Sequence, residues 1–90
     1  MEETEKLKNN FNKIDFNNDE SIIRFINNID ADTKLMSGTN SDGNTIVISA
    51  EKGVCLKLNT YLDNGFIRSN IYTIDDDDLI KEEIYEPSGN

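Results

Sequence analysis

Asp75-Asp76-Asp77-Asp78, with Glu82, Glu83 and Glu86 close behind, are the residues of this sequence whose type and spacing could do chemistry. Carboxylates at close quarters have three uses: a general acid and base pair, a cation cage, or a fixed array of negative charge offered to a cationic surface. A glycosidase holds its two carboxylates inside a lined cleft, and these acids occupy one strongly charged end of a chain of only 90 residues. A cation cage needs side chains that converge, whereas neighbouring side chains on an extended chain diverge. The array remains, beside the plainer reading of a solubilising turn and tail. Carboxylates two apart on a strand are roughly 6.5–7 Å apart, and helical neighbours at i, i+4 roughly 6 Å. Both intervals are close to that between successive phosphates on one nucleic-acid strand. From Asp75 to the C-terminus seven acids face only Lys81, a local balance of -6 within a whole-chain charge of -9.

A second constellation runs from Phe11 to Ile22 and resembles the entering helix and loop of an EF-hand. Asp15, Asn17 and Asp19 take the first, third and fifth loop positions and Ile22 the eighth. Glu20 stands where glycine permits the sharp turn, and Ile26 where a bidentate glutamate closes the shell. The favoured reading is a solvated link between two amphipathic helices; a calcium-responsive interaction module is the alternative. Cys55 lies in Val54-Cys55-Leu56-Lys57-Leu58 with no His or basic cluster to stabilise a thiolate, so no nucleophilic role is expected of it.

These groups must be held by a small set of elements. Leu7, Phe11 and Ile14 fall at i, i+4, i+7, and Ile22, Phe25, Ile26 and Ile29 at i, i+3, i+4, i+7, which predicts two short helices. Asn18 or Asp19 is the N-cap of the second, and Asn27-Asn28 with Asp30-Ala31-Asp32 end it. From Thr33 the period changes to two. Lys34–Ser37 and Thr45–Ser49 flank a turn containing Asp42-Gly43. Val54–Leu62 follows, with Val54, Leu56, Leu58, Thr60 and Leu62 on one face and Lys57, Asn59 and Tyr61 on the other. After Asp63-Asn64-Gly65, Phe66–Ile74 places Ile67, Ile71 and Thr73 opposite Arg68, Asn70 and Tyr72. The last segment fits a short helix capped by the aspartates or a fifth strand over Leu79–Tyr85 with the aspartates as an open turn; the strand is preferred. The fold class is α+β: two short N-terminal helices followed by an antiparallel sheet of four to five strands. A single domain spans 1–90, with 1–30 helical, 33–86 an antiparallel meander and 87–90 a frayed tail.

Composition narrows the function. With no His, imidazole acid-base catalysis, Ser-His-Asp triads and histidine metal sites are excluded. There is no Gly-rich phosphate loop and no nucleophile elbow, so no enzyme, no cofactor and no metal are expected. The negative charge argues against direct binding of nucleic acid or an anionic membrane and favours a basic protein partner. The acidic start Met1-Glu2-Glu3-Thr4-Glu5, the absence of a long apolar run and the single Cys lead to the expectation of a cytoplasmic protein.

The stretch Thr60–Tyr72, with its Asn64-Gly65 turn and polar strand, then the aspartates and Glu82-Glu83-Ile84-Tyr85, resembles the small acidic accessory proteins of phages and mobile elements, some of which are anti-CRISPR or anti-restriction inhibitors. The resemblance covers about the C-terminal half and is one of style. It implies a stoichiometric inhibitor of a host nucleic-acid-binding protein, a Cas effector or nuclease among them, with the basic PAM-reading or strand-holding groove as target. The expected partner-binding residues are Asp75, Asp76, Asp77, Asp78, Glu82, Glu83, Glu86, Tyr72 and Tyr85, with Tyr61 and Phe66 as further candidate anchors. An immunity or antitoxin-like protein that neutralises a basic toxin enzyme shares the same electrostatics and is the alternative.

Overall fold

The computed structural model describes residues 8–29 and 33–88. The expectations placed on Leu7, on Asp30-Ala31-Asp32 and on Gly89-Asn90 lie outside the described residues. Two helices come first: the described part of α1 covers residues 8–12, and α2 is Asp19–Asn27. Helix α1 stops short of Ile14, whose N–H bonds back to the Phe11 carbonyl at 3.1 Å in a tightened last turn. The Ile14 side chain still packs on the core. Asn18 caps α2, its side chain accepting from the Glu20 N–H, and Asp19 and Glu20 place negative charge in the first turn, where the helix dipole favours it.

Five strands follow: β1 Thr33–Thr39, β2 Thr45–Glu51, β3 Cys55–Tyr61, β4 Phe66–Asp75 and β5 Asp78–Pro87. They form one antiparallel meander in the order β1-β2-β3-β4-β5. The Asp-Gly and Asn-Gly signals are turns as read: Gly43 and Gly65 have φ of 83° and 85°, the left-handed region that a side chain disfavours. Pairing continues past the expected start of the tail at 87, since Pro87 belongs to β5 and the Ser88 N–H bonds to the Gly65 carbonyl at 2.9 Å.

Alternation divides the sheet into two faces. Helix α2 lies on the face that carries Met36, Ile48, Ala50 and Leu56, and with Ile22, Phe25, Ile26 and Ile29 these residues make the buried core. The apolar stripe of α2 is the one that its spacing predicts. Each fully buried aliphatic side chain contributes roughly 1.5–3 kcal/mol. The Gly53 N–H donates to the Ile26 carbonyl at 3.0 Å, so the β2–β3 turn satisfies a helix-end acceptor that α2 leaves open. An aromatic chain of Phe25, Phe11, Phe16 and Tyr72, with ring centroids 5.6–6.1 Å apart, joins the interhelical link to the sheet. The opposite face carries no helix among the described residues.

Candidate functional site

The four aspartates close the β4–β5 hairpin. Asp75 and Asp78 are register partners, and the reversal between them is made by Asp76 and Asp77 alone, with φ of 53° and 72°. Two central residues at positive φ define the hairpin turn whose twist matches that of its strands. The aspartates were expected to form an open turn; the turn is tight. Asp tolerates the left-handed region because its short polar side chain can bond locally, which is why a turn without glycine closes here. All four carboxylates are therefore carried on the rigid end of a ten-residue-pair ladder.

Register and alternation assign the other expected residues to separate places. Asp75, Asp78, Glu82 and Glu86 share the open face, Asp76 and Asp77 form the tip, and Glu83, Tyr85 and Tyr72 lie on the helix face. Glu82 and Glu83 thus point to opposite sides. On the open face, acids of β5 recur every four residues, roughly 13 Å apart, about twice the interval expected of carboxylates two apart. The crowding is lateral instead, at the tip, where directly opposed strand residues have Cα atoms about 5.5 Å apart.

Helix-face contacts agree with this assignment. Lys81 donates through Nζ to Asp19 Oδ1 at 2.9 Å, and Asn70 Nδ2 to Glu83 Oε2 at 3.5 Å. Among the described residues, none of the hairpin's open-face or tip acids takes part in an ion pair. Tyr72 is half-buried against Phe16 at the border of the core. Burial pushes its phenol up from the ordinary tyrosine range; the positive charge of Lys81 opposes the shift and the negative charge of Glu83 adds to it. Tyr85 is 56% exposed and is the freer aromatic anchor of the two. Tyr61 is exposed on the open face and Phe66 at the start of β4.

Four isoleucines complete the site and were not assigned to it from sequence. Ile67, Ile71, Ile80 and Ile84 lie on the open face of the hairpin, between its acids. Ile80 is 44% and Ile84 36% exposed. A solvated sheet face is ordinarily polar, so an apolar group rimmed by Asp75, Asp78, Glu82 and Glu86 marks a surface suited to association. The signal was present in the sequence as the alternation Ile80, Glu82, Ile84, Glu86.

The EF-hand-like stretch is built differently from a calcium loop. Helix α2 already begins at Asp19, the would-be fifth position, and Ile22 and Ile26 are fully buried in the core. Asp15 Oδ1 accepts from the Asn17 N–H at 3.0 Å, the Ser21 Oγ accepts from the Asp15 N–H at 3.0 Å, and Asp19 engages Lys81. Among the described residues no group of three or more His, Cys, Asp or Glu side chains is placed to hold a metal ion, and no helix is long and apolar enough to cross a membrane.

Comparison of the chain with protein-family models, curated proteins and solved structures finds no match in any of the three.

Proposed function

We propose that this chain is a non-enzymatic, anti-CRISPR-like inhibitor that seats its β4–β5 hairpin in the basic nucleic-acid-binding groove of another protein, a host defence protein of the Cas effector or nuclease kind. The observation that carries the reading is the tip: four successive carboxylates held on a two-residue reversal at the end of a fully paired hairpin. Like charges so confined repel one another in the free protein, and cationic side chains of a partner relieve that repulsion on docking. Long-range attraction accelerates the encounter, whereas affinity comes from a few desolvated anchors. Ile80 and Ile84 with Ile67 and Ile71 supply those anchors on the open face, and Tyr85 adds one on the other side. The partner surface that fits is an apolar strip flanked by Lys and Arg. A groove that holds a nucleic-acid backbone has the required charge.

The test is competition. A basic nucleic-acid-binding protein captured on the immobilised chain should be released by added duplex DNA or RNA and by salt. The variant with Asp76 and Asp77 changed to Asn and Glu82 and Glu83 to Gln should associate more slowly and with a flatter salt dependence. Release by neither polynucleotide nor salt defeats the reading.

A further inference from the structure

We propose that the outer edge of β5 is a self-association surface on which a second copy of this chain docks antiparallel, about a twofold axis at Glu82, to make one continuous sheet. This inference rests on backbone direction and on side chains of β5 rather than on the charged tip, and it shares Ile80, Ile84 and Tyr85 with the partner reading.

The Ile74 N–H bonds to the Val54 carbonyl at 2.9 Å, so even-numbered residues of β4 address β3 and odd-numbered ones address β5. Through the register, Asp78, Ile80, Glu82, Ile84 and Glu86 bond back to β4. Leu79, Lys81, Glu83 and Tyr85 therefore direct their N–H and C=O groups outward along an edge that is almost wholly exposed. Pro87 takes the next outward place, where its missing N–H costs the sheet no bond. Such an edge is a template for another strand.

Side chains then choose the register. Outward groups bond only to outward groups, so an antiparallel twofold must pair odd residues with odd residues. An axis at Lys81 sets Lys81 against its own copy, and an axis at Glu83 sets Glu83 against its own copy. The axis at Glu82 pairs Lys81 with the second copy's Glu83, Ile80 with its Ile84, and Leu79 with its Tyr85, each twice by symmetry. Opposed charges and opposed apolar side chains on a ladder are the favourable cross-strand pairs. On the open face the two isoleucine groups meet across the axis, covering Ile80 and Ile84, which are the exposed members in the single chain.

The same register opposes Glu82 to Glu82 and Asp78 to Glu86, and each copy brings a net charge of -9. Attraction is thus short-ranged and repulsion long-ranged. Salt shortens the range of charge interactions to about 3 Å at 1 M, so self-association strengthens as salt rises. Docking to a basic partner responds in the opposite sense, and failure of one proposal is therefore distinguishable from failure of the other.

Sedimentation equilibrium of the full chain over a concentration series, at about 0.1 M and about 0.5 M NaCl, gives the test. The mass should approach two copies, and at lower concentration in the higher salt. Lys81→Glu should weaken association roughly tenfold, and the swap Lys81→Glu with Glu83→Lys should restore most of it. Asp19→Asn, which frees Lys81 from its contact within the chain, should not weaken it. Glu82→Gln should strengthen it. Glu83→Pro removes an outward N–H and no β4–β5 bond, so it should abolish association with the circular dichroism spectrum retained. A single-copy mass at about 1 mM in the higher salt, or a charge swap no better than Lys81→Glu alone, overturns the proposal.

Discussion

Lys81 on β5 and Asp19 at the start of α2 meet at 2.9 Å across 62 residues of sequence. The pair ties the acidic hairpin to the helix that forms the core, and it occupies the one cation that the sequence places after Asp75. Both side chains are about half exposed, 52% and 51%, so solvent screens the attraction. Asp19→Asn should therefore lower unfolding free energy by less than about 1 kcal/mol, read from urea denaturation. A loss above about 2 kcal/mol would mean that the hairpin depends on this contact for its place.

The tip stores strain that can be removed. Asp76 and Asp77 both hold positive φ, which costs roughly 1–2 kcal/mol for an ordinary L-residue and less for Asp. Changing Asp76 to Asn and Asp77 to Gly supplies the residues this turn prefers and relieves crowding among four carboxylates. The double variant should be more stable by about 1 kcal/mol and slower to associate with a basic partner. A less stable variant contradicts the turn geometry.

Two isoleucines distinguish the faces of the sheet system. Ile26 is 0% exposed and Ile80 44% exposed. Ile26→Ala should cost about 2–5 kcal/mol, whereas Ile80→Ser should stay within about 1 kcal/mol while weakening association. Thermal and urea unfolding of the pair of variants measures the contrast.

Alkaline stability reports on Tyr72. Burial raises its folded pKa, so the unfolded chain gives up that proton first as pH rises. The contribution is complete below the ordinary tyrosine value of about 10 and is lost as pH climbs through the higher folded value. Tyr72→Phe should flatten this part of the alkaline decline, followed by denaturant midpoints between about pH 8 and 11. An unchanged slope would place the phenol in water.

Much of the fold was legible because one periodicity served one face. The spacing of Ile22, Phe25, Ile26 and Ile29 named the buried stripe of α2, and Asp-Gly and Asn-Gly named two reversals by the backbone conformation that they permit. The β4–β5 reversal was less legible, since Asp76 and Asp77 adopt positive φ without glycine and only the pairing of Asp75 with Asp78 reveals it. The candidate site was read from its carboxylates and its aromatic side chains, and its isoleucines were missed. Glu82 and Glu83 are adjacent in sequence and opposed in space, a division set by which face α2 covers. That choice also decides that Ile80 and Ile84 are exposed, and it is a tertiary fact that strand alternation leaves open.

The central claim is that a cationic groove accepts the hairpin in place of a polynucleotide. Association rates of the captured basic partner, measured against increasing salt for the native chain and for the variant neutralised at Asp76, Asp77, Glu82 and Glu83, test it most directly. The account predicts a steep fall with salt for the native chain, a slower and flatter response for the variant, and displacement of bound DNA or RNA by the native chain in one-to-one proportion. Equal rates and equal displacement for both proteins would contradict it.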